Sequence, residues 1–104
     1  MDYAAFLEGI ERQAHRKIKV VPVTKGHTIE EIEPLYRFGF REFGESRLQE
    51  AGAKITSLPQ DISWHFIGSL QKNKVDKVLL QFDWIHSVDS IELAEKVASS
   101  ALKL

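Results

Sequence analysis

Lys19-Val20-Val21-Pro22-Val23-Thr24-Lys25, followed at once by Gly26, is the stretch on which the fold turns. A short β-branched run bounded by turn chemistry predicts a buried strand rather than a helix. Pro22 suits an edge strand better than a central one, because it brings no N–H to a ladder. Lys25 then stands at the carboxyl end of the strand, where parallel α/β sheets bind their ligands. Taken alone, a lysine in that place also reads as a solvated residue closing a strand, so the rest of the chain has to decide.

Working outward, Asp2 caps a first helix in which Tyr3, Phe6, Leu7, Ile10 and Ala14 recur at helical spacing. On the other side, Thr28 and Glu31 form a capping-box signal, Ile29, Ile32, Leu35 and Tyr36 make an apolar stripe, and Gly39 suits the stop. Pro34 removes a hydrogen bond beyond the first turn at a cost of about 3 kcal/mol, which predicts a late start or a kink. A second strand is expected over 40–45 (FREFGE). Ser46 and Gln49 repeat the capping box before a helix burying Leu48, Ala51, Ile55 and Leu58, which Pro59 ends. A third strand is expected over 63–68 (SWHFIG) with His65 in its middle, then a helix over about 71–81 burying Val75, Val78 and Leu79. A fourth strand falls on 83–88 (DWIHSV). Asp89 with Glu92 then caps a last helix burying Ile91, Ala94, Val97, Ala98 and Leu102.

Strands alternating with helices every twenty residues or so call for a parallel sheet with right-handed crossovers. Each strand ends in polar residues or glycine: Thr24 and Lys25, then Gly44, Glu45 and Ser46, then Gly68 and Ser69, then Ser87 and Asp89. Four such endings in register describe a mouth lined by functional groups, as at the C-terminal face of a TIM (β/α)8 barrel. Such barrels run to about 250 residues, so four units amount to half of one, and residues 1–104 are expected to form a single domain. A doubly wound sheet competes, but no glycine-rich dinucleotide or phosphate fingerprint follows any strand.

The composition is that of a folded globular chain, 43% apolar and 28% charged, which excludes disorder. A net charge of −1 offers nothing to nucleic acid or to an anionic membrane surface, and no apolar run is long enough to span a bilayer. With no cysteine, thiolate chemistry and disulfides are excluded, and a cytoplasmic setting is expected.

VTK at 23–25, REFGES at 41–46 running on to Gln49 and Glu50, WHFIGSLQKNK at 64–74 and HSVD at 86–89 resemble, in order, the signatures of the YggS/PROSC family of pyridoxal phosphate homeostasis proteins. The resemblance covers nearly the whole chain and implies the barrel of the alanine racemase type. It implies that Lys25 carries pyridoxal 5′-phosphate as an internal aldimine, in a carrier or regulator rather than a turnover enzyme. It also implies that the phosphate cup lies in a C-terminal half beyond Leu104. Hence a fragment, or a homodimer of half-barrels that mends the open edges, is expected, with a truncated gene of impaired binding as the third option.

The residues fit that chemistry. An amine condenses with an aldehyde only when neutral, and desolvation after an apolar strand is expected to favour the neutral form of Lys25. Gly44, Ser46, His65 and Ser87 are the other candidate cofactor-binding residues. Ser46 stands where the family has asparagine, and N-capping a helix is an alternative role for it. His65 either touches the cofactor or is a satisfied histidine inside the fold. Glu45 either orients Lys25 or starts a helix. Two other functions stay open: a racemase or lyase fragment using Lys25 as a base, and a half-barrel assembly module without cofactor. The absence of a tyrosine at any strand end speaks against a racemase.

Overall fold

The structure is a computed structural model that describes residues 2–104. Among the described residues the chain runs α1 (Tyr3–Ala14), α2 (Ile29–Phe38), β1 (Glu42–Glu45), α3 (Leu48–Ser57), β2 (Ser63–Phe66), a 3-10 turn (Lys72–Lys74), α4 (Val75–Gln81), β3 (Trp84–Ile85) and α5 (Ile91–Lys103). The strands form a small parallel sheet in the order β1-β2-β3, with Glu42 opposite Ser63 and His65 opposite Trp84. Strand order follows chain order, and helices make the crossovers that parallel pairing requires. The expected α/β class is therefore seen.

The opening stretch joins this sheet by one rung only, a parallel bridge from Val23 to Gly44. Gly44 N–H donates to Pro22 O and Thr24 N–H to Gly44 O, both at 2.9 Å. A further rung toward the amino end would need an N–H from Pro22, which has none. A further rung toward the carboxyl end would use Gly26 N–H, which is given instead to Glu50 Oε1 at 2.7 Å. The strand expected over 19–25 is thus an extended edge segment with a single bridge. The fourth strand is likewise short: only Trp84 and Ile85 pair, flanked by Asp83 N–H to Trp64 O and His86 N–H to Phe66 O.

Local signals decide most helix ends. Asp2 accepts from Ala5 N–H, and both halves of the Thr28–Glu31 capping box form. That cap sets the start of α2 at Ile29, so no late start occurs and the helix runs through Pro34. Two expected caps are not formed. Arg47, not Ser46, is the N-cap of α3, without a side-chain bond, because Ser46 is still in a tight passage against Gly68. Ser90 rather than Asp89 caps α5, accepting from Leu93 N–H. The helix expected over 71–81 opens as the 3-10 turn before α4 begins.

One hydrophobic core lies between the sheet and its helices, around Ile32, Phe43, Ala51, Trp64, Val75 and Val78. Phe43 and Trp64 pair across β1 and β2 with ring centroids 5.8 Å apart. Fully burying a side chain of this size stabilises the fold by about 1.5–3 kcal/mol. Tyr3 and Phe6 dock α1 edge-on against Phe38 and Phe40. On α5 the stripe expected inside is outside: Ile91 is 78% and Leu102 90% exposed, and Ala94 and Ala98 are exposed too. Val97 of that stripe does pack partly against the core, and Leu93 and Ser100 face inward with it in place of the others. This helix carries apolar residues on two sides, and only its packing against α4 selects one of them.

Candidate functional site

Alternation along the strands gives the sheet two chemically distinct faces. The helix-covered face presents Thr24 and Glu45 to α3, while the opposite face gathers Lys19, Glu42, His65, Trp84 and His86. At the carboxyl edge, Lys25, Gly26, Ser46, Arg47, Gly68 and Ser69 line a cleft of about 450 Å³. Ser46, Arg47 and Ser69 continue into a groove of about 680 Å³ that also carries Gln71, Lys74 and Lys77.

Lys25 occupies the second position of a turn closed by His27 N–H to Thr24 O at 3.1 Å, with Gly26 third at φ 76°. Positive φ at the third position is what a type II turn demands, and glycine meets it without strain. The Lys25 side chain is exposed, so the desolvation expected of an apolar strand end is not supplied by these residues. The physical reason is the single-rung edge: with Val23 itself half exposed, the strand presents no apolar wall beside the amine.

The other candidates divide between the cleft and its supports. Ser46 lines the cleft with Lys25, released from the capping role. Gly44 does not line the cleft; on the open face an added Cβ there would sit 3.2 Å from Ile67 Cδ1 and 3.6 Å from Val21 Cγ1. The Ser87 hydroxyl donates a hydrogen bond to Gly68 O and so braces the cleft wall. His65 is buried with both ring nitrogens occupied, Nε2 against Glu42 Oε1 at 2.7 Å and Nδ1 against His86 Nε2 at 2.8 Å. A carboxylate only accepts, so Nε2–H donates to Glu42, and in the neutral ring Nδ1 accepts from His86 Nε2–H. Trp84 stacks on His65 at 5.5 Å and Lys19 Nζ stands 4.9 Å over Trp84, which makes this a satisfied histidine within the sheet face.

Glu45 does not reach toward the Lys25 side chain. It is buried on the helix side, accepting from Thr24 Oγ1 and from Lys54 Nζ, the latter at 2.9 Å. Lys54, only 5% exposed, also donates to Glu50 Oε1 at 3.0 Å and to Thr24 O at 2.9 Å. The Lys54 hydrogen bond first, and the Gly26 N–H second, hold the Glu50 carboxyl below its ordinary value of 4.5. Lys54 went unnoticed in the sequence, although a signal was there. It falls at core spacing between Ala51 and Leu58, four residues after an acid that can partner it.

No family model matches the chain, but individual relatives do. The Synechocystis pyridoxal phosphate homeostasis protein is 49% identical over 89 residues, 84% of this chain and 41% of that protein. The protein of the same name from Buchnera aphidicola of Acyrthosiphon pisum is 41% identical over 81 residues, 76% of this chain and 40% of that one. PipY of Synechococcus elongatus, solved with pyridoxal phosphate bound, superposes with a TM-score of 0.80 at 43% identity, over 96% of this chain and 48% of PipY. PipY without the cofactor gives a TM-score of 0.76 at 41% identity. The chain thus spans somewhat under half the length of the relatives it matches. Over the part that it spans, the chain is similar in sequence and in fold to the YggS/PROSC family of pyridoxal phosphate homeostasis proteins.

Proposed function

We propose that this chain holds pyridoxal phosphate through the Lys25 amine and serves in pyridoxal phosphate homeostasis as a carrier, not as a turnover enzyme. The observation that carries the reading is the cleft of about 450 Å³ in which Lys25 meets Gly26, Ser46, Arg47 and Gly68 at the carboxyl edge of a parallel sheet. The cleft is within the usual range for small-ligand sites, about 300–1,000 Å³. Its amine, cation and hydroxyl match a ligand that has an aldehyde, a phosphate and polar ring substituents. Bound pyridoxal phosphate supplies an electrophilic carbonyl for a primary amine. In the cleft the chain supplies Lys25 as the amine and Ser46 as a hydrogen-bonding wall. Ser87 supports the cleft through the Gly68 carbonyl, while His65 stays engaged with Glu42 and His86 on the open face of the sheet.

The likeness to PipY, whose cofactor-bound form superposes on nearly all of this chain, supports the same reading. It also supports taking residues 1–104 as the N-terminal half of a (β/α)8 barrel of the alanine racemase type. Against a racemase, this chain brings no tyrosine to the cleft: Tyr3 packs on Phe38 and Phe40, and Tyr36 donates to Asp61 at 2.6 Å. No helix among the described residues is long and apolar enough to cross a membrane.

The test is to incubate the chain with pyridoxal phosphate, reduce with borohydride and map the modified lysines by mass spectrometry. Modification concentrated on Lys25, with yellow absorbance lost in Lys25→Ala, is the expected result. A folded chain labelled evenly over its exposed lysines would overturn the proposal.

A further inference from the structure

Lys25 has its two peptide neighbours tied to one helix. The carbonyl before it, Thr24 O, accepts from Lys54 Nζ at 2.9 Å, and the N–H after it, Gly26 N, donates to Glu50 Oε1 at 2.7 Å. The two side chains are bonded to each other at 3.0 Å and sit one turn apart on α3. Lys54 is anchored from below by Glu45, which is fully buried. The turn that carries Lys25 is therefore gripped at both ends of the residue, while the Lys25 side chain itself stays exposed in the cleft.

Mere packing does not require this arrangement. Position 54 lies between Ala51 and Leu58 on the buried stripe of α3, where an apolar residue would serve the core. Replacing a buried ion pair by apolar residues is often neutral for stability or better, so a buried lysine at such a place points to a role in specifying geometry. The bonds it makes specify the geometry of one segment, the 24–27 turn. We propose that Lys54 and Glu50 are positioning residues, a clamp from α3 that fixes the backbone on either side of Lys25 and so presents its amine to the cleft at one angle. This rests on the reading of Lys25 as the cofactor-holding residue.

The clamp acts through geometry alone. Lys54 donates a hydrogen bond to the Thr24 carbonyl oxygen, Glu50 accepts one from the Gly26 N–H, and neither lines the cleft. Removing Glu50 frees the Gly26 end while the buried Glu45–Lys54 pair stays whole, so Glu50→Ala separates positioning from folding. A second variant, Lys54→Met combined with Glu45→Leu, removes the buried charges together and leaves an apolar stripe.

The probe is pyridoxal phosphate itself, with borohydride trapping and lysine mapping, using Lys17, whose side chain is 97% exposed, as a reference within each sample. The ratio of Lys25 to Lys17 labelling is expected to fall by about tenfold in both variants, part of the ~10²-fold span that attends a misplacement of about 1 Å. Circular dichroism stays native, and hydrogen exchange at the Gly26 amide accelerates in Glu50→Ala. If the unsubstituted chain favours Lys25 and both variants favour it equally, the clamp is refuted while the cofactor reading survives. If the unsubstituted chain shows no preference for Lys25, both fall together.

Discussion

Gly68→Ala is the substitution that presses hardest on the described cleft. A Cβ at this position would lie 2.8 Å from the Ser46 carbonyl carbon and 2.9 Å from its Cα, with the carbonyl oxygen closer still. Ordinary contact begins near 3.4 Å, and the obstacle is backbone rather than the end of a flexible side chain, so the 46–47 segment must retreat by more than half an ångström. Overpacking of this kind costs about 1–3 kcal/mol. With a urea dependence of about 1–3 kcal/mol per molar for a small protein, the unfolding midpoint should drop by roughly 1 M. The same retreat carries Ser46 away from Lys25, so Lys25 labelling by pyridoxal phosphate should weaken by about tenfold at saturating urea-free conditions. Gly9→Ala is the control. It meets nothing within 4 Å inside α1 and should raise stability by about 0.5–1 kcal/mol. Chevron or equilibrium urea curves read both. If Gly68→Ala moved with Gly9→Ala, toward a higher midpoint and undiminished Lys25 labelling, the close passage of the two loops would be refuted.

Two further outcomes follow from the charges. Lys54→Ala strands the fully buried Glu45 without its partner and should cost about 3–5 kcal/mol, a large share of the stability of a small domain. A loss below about 1 kcal/mol in urea melts would mean that Glu45 finds water or another donor. Glu31, Glu50 and Glu92 are held below their ordinary 4.5 by the Thr28 N–H, the Lys54 ammonium and the Lys72 ammonium respectively, and Asp61 is held below 3.8 by the Tyr36 hydroxyl. Depressed carboxylates bind fewer protons folded than unfolded. Their stabilisation is thus complete above the ordinary values and is lost as pH falls through the folded ones. Melting temperature should decline from about pH 5 downward, less steeply in Glu50→Ala and in high salt. A melting temperature flat across that range would contradict the assignment.

What was legible in the sequence is what local chemistry decides. The Asp2 cap, the Thr28–Glu31 box and the alternation of β1 and β2 with their helices need only near neighbours, and all appear as read. The failures are places where distant residues decide. Whether 19–25 forms a full strand depends on which N–H the ladder would ask for. One is missing at Pro22 and the other, at Gly26, is claimed by Glu50 on a helix twenty-four residues away. Ser46 loses its capping role to the close approach of Gly68. For α5, periodicity shows an apolar stripe but not which of two stripes α4 will cover. At the site, the place of Lys25 after a strand is legible in the sequence but reads equally as a solvated residue, and only the ordered motifs single it out, while the buried Lys54 behind it is hidden by the expectation that lysines are solvated.

The parallel sheet pairs each segment with the one immediately before it: Val23 with Gly44, Glu42 with Ser63, His65 with Trp84. Every rung therefore closes a loop of about twenty residues, and none waits for a partner far along the chain. Since folding speed falls as contacting residues lie further apart in sequence, such a ladder can be laid down stepwise during synthesis, each strand templated by its predecessor while the ribosome supplies the next. The edge left by each new strand is then the template for the strand after it, β1 for β2 and β2 for β3.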